Sequence, residues 1–474
     1  MGKKFYITAA IPYVNAAPHV GHALEFVQAD TIARYHKLLG EDVLLLSGGD
    51  ENALKNVQAA EKAGEPVQEF VDKNNKLFVE LTKNLNCDFD IWQKGSDQVN
   101  HFKSSQKLWE LCDKNGDIYQ KEYGGLYCVG CEAFYTSGEL NSNGECFEHP
   151  GTKLQEVKEN NYFFKLSKYQ ERLIKLIETD KLKIYPTERK NEVLSFLKEP
   201  LQDISISRSN ERAKNWGVPV PNDDTQKIYV WFDALNLYQS GIGFGWDEEK
   251  YKKYWPADLH VIGKGISRFH AVYWPAFLMS ARLKLPKAIF IHGYFTVNGQ
   301  KMSKTLGNVI DPNEMIKKYG VDALRYYFLA KFSPFTDGDF SEEKLRDVYN
   351  GDLANGLGNL VSRVAKMCEK SDFDFASKNT KLYPEVVKFL EEFRFDNALK
   401  FIWDKITLVD QDINKSEPWK LEGKELKSKL QYYLIEIAEI ALNLKPFLPE
   451  TTNKIAKVFG GVKIKMLEPL FPRI

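Results

Sequence analysis

The chain has no run of 18 or more apolar residues, so nothing in it reads as a transmembrane helix. No internal repeat and no low-complexity tract stands out, which sets aside repeat arrays and long disordered tails. Neither sign of charge is in excess: 65 Lys and Arg stand against 65 Asp and Glu. Binding to nucleic acid would therefore rest on local basic patches rather than on a global field. No secretion signal is expected either. Met1-Gly2-Lys3-Lys4 leads into apolar residues, but Pro12, Asn15 and two histidines interrupt them early. A core strand and a cytoplasmic protein are expected instead. Cysteine is scarce, with six in 474 residues. What is present is ordinary for a globular protein: 43% hydrophobic and 27% charged residues, with chain enough for large cores. The length corresponds to about three domains.

Two short motifs lie about 280 residues apart. The first, Pro18-His19-Val20-Gly21-His22, follows an apolar stretch from Lys4 to Val14 that reads as a buried strand. After it, Leu24, Val27, Ile32 and Tyr35 recur at helical spacing until Gly40. His19 and His22 thus share one face of a first helical turn, where backbone N–H groups and the helix dipole favour a phosphate. Gly21 leaves room for an adenine ring beside the backbone. The second motif is Lys301-Met302-Ser303-Lys304-Thr305, after a strand from Ala288 to Val297 and the turn Asn298-Gly299. Two ammonium groups on a loop suit the charge of a transferring phosphate. Each motif alone also fits a bland reading, surface histidines at a helix start or a solvated basic loop.

Four of the scarce metal-binding residues cluster: Cys128-Val129-Gly130-Cys131, then Cys146-Phe147-Glu148-His149. Cys-x-x-Cys followed by Cys-x-x-His is tetrahedral zinc spacing, and a structural Zn²⁺ is expected there. A disulfide or a redox pair is the competing reading; the missing secretion signal weighs against the disulfide. Cys87, Cys112 and Cys368 read as buried thiols.

Strand and helix alternate over residues 1–117, including Asp42 to Leu46 and a helix from Asn52 onward, which is the pattern of a parallel sheet. Residues 118–219 carry short, Gly-rich, cysteine-bearing segments. Alternation resumes over 220–350, with strands at Lys227 to Phe232 and Leu259 to Ile262, and 351–474 is helix-rich, starting most clearly at Asn355 to Lys370. The expected fold is α/β: a doubly wound, Rossmann-type catalytic domain interrupted by a zinc-knuckle insertion and followed by an all-α helical bundle. The carboxyl ends of the sheet strands would form the ligand crevice.

His-x-Gly-His near the start and Lys-Met-Ser-Lys-Thr late in the chain resemble a class I aminoacyl-tRNA synthetase. The surrounding stretches resemble the methionyl-tRNA synthetase family: Ala10-Ile11-Pro12-Tyr13-Val14-Asn15, Tyr229-Val230-Trp231-Phe232-Asp233-Ala234, Arg268 to Ala276, His292-Gly293-Tyr294, Asp337 to Ser341 and Asp352-Leu353-Ala354-Asn355. The resemblance runs nearly end to end. It implies activation of L-methionine with ATP and Mg²⁺, and transfer to the 3′-terminal adenosine of a tRNA with a CAU anticodon. It implies His19, His22, Lys301 and Lys304 as catalytic groups, with Gly21, Met302 and Ser303 also at the nucleotide. The amino acid would lie against Ala10, Ile11, Tyr13, Asp50, Trp231, Ala234, Leu235, Tyr238 and His270. A thioether favours such aromatic walls and a donor, which Trp231, Tyr13 and Tyr238 would supply; Asp50 would hold the ammonium. Core packing for Trp231 and Ile11, and a helix cap for Asp50, are the plain alternatives. Asn355, Asn359 and Arg363, spaced four apart on one helix stripe, and Pro418-Trp419 would read the anticodon.

Two departures from the family stand out. It has Asp-Glu-His-Gly where this chain has Asp50-Glu51-Asn52-Ala53, and Gly-Lys-Asp-Ile where this chain has Gly263-Lys264-Gly265-Ile266. The aspartate lost at 265 is expected to contact the ATP ribose. The alternatives are a related class I synthetase, although 118–219 leaves no room for a large editing insertion, and a non-catalytic tRNA- or protein-binding paralogue. The chain ends near Pro472-Arg473-Ile474 without an evident added module, so a monomer is expected.

Overall fold

The computed structural model describes residues 2–131, 133–135, 137–149, 151–302, 307–375, 380–465 and 468–474, apart from the side chains at 123, 133, 134, 137 and 301. Two compact units emerge. One comprises Met1–Pro18, Glu41–Glu80 and Asp88–His292; the other comprises His19–Gly40, Leu81–Cys87 and Gly293–Ile474.

The first unit holds thirteen strands among the described residues. These are β1 (Lys4–Ala9), β2 (Asp42–Gly49), β3 (Ile91–Lys94), β4 (Ile118–Cys128), β5 (Ala133–Tyr135), β6 (Gln155–Phe164), β7 (Lys183–Tyr185), β8 (Ile204–Ser205), β9 (Ser207–Ser209), β10 (Pro219–Val220), β11 (Asp223–Ile228), β12 (Leu259–Gly263) and β13 (Ala288–His292). Six form a wholly parallel sheet in the order β3-β2-β1-β12-β13-β7. Its central strands β1 and β12 are buried on both faces, as a sheet covered on both sides requires. The segment 118–219 builds a separate antiparallel sheet, β5-β4-β6-β8, yet also lends β7 to the edge of the main one. The chain order reverses beside β1, so the crevice at the carboxyl ends of β1, β2 and β12 is the natural binding place.

Two readings of local structure change here. Lys227 to Phe232 does not run as one strand: β11 ends at Ile228 and a helix starts at Val230. All eleven residues of that helix, Val230–Ser240, are buried, so it shows no polar face from which a period could be read. Ala288 to Val297 is likewise two strands. β13 ends at His292, and Phe295–Val297 (β14) belongs to the second unit.

The second unit begins with the helix Val20–Leu38 (α1). Asn298 and Gly299, with φ of 53° and 70°, turn β14 back onto Gln300–Lys301 (β15), and Gly338–Phe340 (β16) pairs on the other side of β14. Helices dominate the remainder. Asn355 to Lys370 is not one regular α-helix: Tyr349–Gly358 is π-helical and the α-helix proper is Asn359–Ser371. Leu353, Leu357, Leu360, Val361 and Val364 are buried, as their spacing anticipates. No helix among the described residues is long and apolar enough to cross a membrane.

Candidate functional site

His19 is the N-cap of α1, and its extended backbone lets the side chain turn back on the helix. Its Nδ1 accepts from the Gly21 N–H at 3.0 Å, while His22 Nδ1 accepts from the His19 N–H at 3.2 Å. The two rings lie 4.0 Å apart. Each Nδ1 is therefore an acceptor, which puts the proton of the neutral ring on Nε2. Burial lowers the pKa of His19 to about 4 and holds that of His22 well below the usual imidazole range. Both are neutral N–H donors at neutral pH rather than cations.

A Cβ added to Gly21 would lie 2.8 Å from the His19 ring and 3.5 Å from Met302 Cε. Glycine is thus required, and Met302 stands beside the histidine turn. The Val20 N–H donates to the Ile310 carbonyl at 3.2 Å, tying the chain just after the second motif to the start of α1. Two motifs distant in sequence meet within one unit. Ser303, Lys304 and Thr305, and the side chain of Lys301, lie outside the described residues.

In the first unit, Ala10 and Ile11 follow β1, Asp50 follows β2, and His270 lies beyond β12. Ala10, Asp50, Trp231, Ala234, Leu235, Tyr238 and His270 are buried; Ile11 and Tyr13 are half-buried. Tyr13 and Asp50 form a parallel bridge, and the Asp50 N–H donates to the Pro12 carbonyl at 2.9 Å. The helix after Asp50, Leu54–Ala63 (α2), is capped by Ala53 without a side-chain bond. Asp50 is therefore not spent as a cap. Trp231 meets Tyr13 edge-on at 6.2 Å and stacks on Phe269 at 3.6 Å and 4°.

The donors of Trp231, Tyr238 and His270 are committed to protein partners. The His270 Nδ1–H faces the Ile266 carbonyl at 3.0 Å, so its Nε2 accepts from the Tyr238 hydroxyl at 2.9 Å. Trp231 Nε1 donates to the Cys131 carbonyl at 3.1 Å. The Tyr238 hydroxyl and the Trp231 indole thus each donate to a protein group. Sequence reasoning missed Phe269, although its stretch was singled out, and His260. The latter is fully buried on β12, with its ring 4.6 Å from Tyr238 and Nδ1 2.6 Å from Thr8 Oγ1. An apolar strand with one histidine carries no signal that the ring packs against Tyr238.

The first departure, Asn52, has bonds of its own. Asn52 Nδ2 donates to Asp233 Oδ2 at 2.6 Å and to the Gly95 carbonyl at 2.8 Å. Gly265 sits in the 3₁₀ turn Lys264–Ile266, directly after β12.

Cys128, Cys131, Cys146 and His149 present four donor atoms within 4.8 Å of one another. The Cys146 sulfur lies 3.3 Å from Cys128 and 3.6 Å from Cys131, and His149 Nδ1 lies 3.2 Å from Cys131. A tetrahedral Zn²⁺ with sulfur at about 2.3 Å spaces its ligands by about 3.8 Å, so the donor set fits a metal. No disulfide joins these cysteines. A Cβ on Gly130 would meet the His149 ring at 2.6 Å, which explains the glycine between the first two cysteines. Cys87, Cys112 and Cys368 are buried, as expected; burial raises the Cys112 thiol to about 12.

In the second unit Asn355 and Asn359 are exposed, and Arg363 pairs with Asp410 and donates to Asn414 at 2.7 Å. Asn355 accepts from Arg473 at 2.7 Å. Because Asn355 lies in the π-helical stretch, the three do not share one regular α-helical stripe. Trp419 is 56% exposed on the turn Pro418–Lys420, whereas Pro418 is buried.

Residues 5–365 match the family described as tRNA synthetases class I (M). The chain is 42% identical to the methionine–tRNA ligase of Thermotoga maritima over 95% of its length and 74% of that protein's. It is 38% identical to that of Brucella suis, over 99% and 98%. A solved structure of Mycobacterium tuberculosis methionyl-tRNA synthetase in complex with methionyl-adenylate superposes with a TM-score of 0.93 at 36% identity, covering 99% of this chain and all of that one.

Proposed function

The chain belongs to the methionine branch of the class I tRNA synthetases, and from that premise we propose how its residues carry out methionine–tRNA ligation. Methionine binds against Ala10, Ile11, Tyr13, Trp231, Ala234, Leu235 and Tyr238, with Asp50 as the partner of its ammonium. The pocket residues gathered at the carboxyl ends of β1, β2 and β12 support this. Its carboxylate attacks the ATP α-phosphorus in line; the new P–O bond forms as pyrophosphate leaves with its bonding electrons. His19 and His22 donate N–H bonds to the phosphate as negative charge develops, and Lys301 and Lys304 neutralise it. Mg²⁺, bound with ATP, supplies further charge neutralisation on the phosphates. A ribose hydroxyl of the terminal adenosine of tRNA(Met), the 2′-hydroxyl in this class, then attacks the adenylate carbonyl, and AMP leaves. No side-chain nucleophile is needed, because positioning supplies much of the acceleration. The charged tRNA serves initiation and elongation in the cytoplasm.

The observation that carries this reading is the meeting of the two motifs at the first turn of α1, through Met302 and the Val20–Ile310 bond. Four further parts belong to the same reading. Zn²⁺ at Cys128, Cys131, Cys146 and His149 holds the knuckle. Asn355, Asn359, Arg363 and Trp419 contact the anticodon, with Pro418 packed beneath as support. The chain divides into catalytic segments 1–117 and 220–350, an insertion 118–219 and an anticodon domain 351–474. It acts as a monomer.

Methionine-dependent ATP–pyrophosphate exchange tests the reading, with cysteine, isoleucine, valine and leucine run beside it. Exchange with methionine alone is expected. Exchange with another amino acid would mean that the pocket has been misread. Silence with all five would favour a non-catalytic tRNA binder and turn attention to Gly265.

A further inference from the structure

Lys55, the second residue of α2, stands outside every motif considered so far. Its Nζ donates to the Gly130 carbonyl at 3.1 Å and lies 3.0 Å from the centroid of the Tyr13 ring. Gly130 precedes the metal-ligand position Cys131, whose own carbonyl holds the Trp231 indole at 3.1 Å. Two consecutive carbonyls of the knuckle therefore grip the two aromatic walls of the pocket, one directly and one through Lys55.

The energetics favour a positioning role. A lysine on a surface helix ordinarily leaves its ammonium in water, free to move. Here the ammonium faces an aromatic ring and a carbonyl whose chain direction is set by the Cys128 to Cys131 turn. A cation held over an aromatic face gains from the ring quadrupole, more so when water is excluded. Tyr13 meets Trp231 edge-on, and Trp231 is itself sandwiched against Phe269. A shift of Tyr13 would open the edge of this stack where the substrate side chain is expected.

We infer that Lys55 is a positioning residue that ties the Tyr13 wall of the amino-acid pocket to the Gly130 carbonyl of the metal knuckle. The inference rests on the methionine reading of the pocket. Lys55 touches no reacting atom, so its removal weakens methionine binding without slowing the chemical step.

Lys55→Met keeps the length of the stem and deletes the charge; Lys55→Arg keeps a cation. Calorimetric titration with methionine, without ATP, measures the affinity directly. Lys55→Met is expected to raise the Kd and the KM for methionine about tenfold, the size of one partly desolvated cation–π contact. kcat for exchange is expected to stay within about twofold, the signature of lost uniform binding. Metal content and melting temperature should match the unmodified chain, and Lys55→Arg should recover most of the affinity. An unchanged methionine Kd in Lys55→Met overturns the inference, as does a lost metal or a lowered melting point, which would make Lys55 a purely structural residue. Failure of the unmodified chain to bind methionine would instead overturn the reading of the pocket itself.

Discussion

The helix start assigns the ring protons of His19 and His22. Because backbone N–H groups occupy both Nδ1 atoms, neither ring needs a positive charge to donate from Nε2. Burial keeps the folded His19 unprotonated down to about pH 4, whereas an unfolded histidine takes up its proton near 6.5. The unfolded chain thus binds more protons within that window, and stability falls as pH drops through it. A histidine Cε1–H titration should show His19 with a midpoint near 4; a midpoint near 6.5 would remove the neutral-donor account. Sequence spacing put the two histidines together correctly but is silent on tautomer and charge, which depend on which backbone groups the rings meet. The same holds at Asn52. As a bare letter it is a departure from a family pattern, yet in the fold it bonds to a buried carboxylate, Asp233, that also accepts from Ser105 at 2.7 Å.

Among elements, α1 carries the histidines and is pinned by a buried ion pair. Asp30 on α1 lies 2.8 Å from Arg325, and both side chains are wholly buried. The guanidinium also donates to the carbonyls of Phe447 at 2.8 Å and of Leu85 and Pro446 at 3.2 Å. Every neighbour is an acceptor, so the charge is held by several bonds at once. Arg325→Met would leave the buried Asp30 carboxylate with Arg34 as its remaining countercharge, at 2.7 Å, and three carbonyls without their donor, and is expected to cost about 3 kcal/mol. Urea denaturation would measure it, and Asp30→Leu combined with Arg325→Met should cost less than Arg325→Met alone. A double variant at least as unstable as the single would show that the pair acts by packing. The chain pattern marked most of these elements, since β1, β2, β12 and α1 have strong apolar runs or periods. It failed where burial is uniform, as in Val230–Ser240, and where the helix winds wider, as in Tyr349–Gly358. Neither local hydropathy nor residue propensity encodes those outcomes, because packing partners distant in sequence decide them.

For the whole molecule, the reading divides the work: amino-acid pocket residues fall in the first unit, anticodon candidates in the second. Trp419→Ala removes the exposed ring and leaves every pocket residue untouched. A base stacked on such a ring is worth about 1–3 kcal/mol. Aminoacylation should therefore show a tRNA KM raised about 5- to 150-fold, by that free energy, while methionine-dependent pyrophosphate exchange is unchanged. Parallel assays of the two reactions check this; an equal loss in both would mean that Trp419 supports the fold rather than the RNA.

The sequence by itself marked two features that need particular residue types at short spacing: the histidine turn and the cluster of four candidate metal donors. Such motifs are local, and a few backbone bonds suffice to build them. Only the tertiary structure decided that Met302 stands beside Gly21, that β13 and β14 separate at Gly293, and that the Gly130 and Cys131 carbonyls accept from Lys55 and Trp231. A Cβ on Gly293 would lie 2.1 Å from the Thr336 carbonyl oxygen. Close approaches of this kind arise from burial between segments far apart in the chain, and residue order alone does not state which segments will meet.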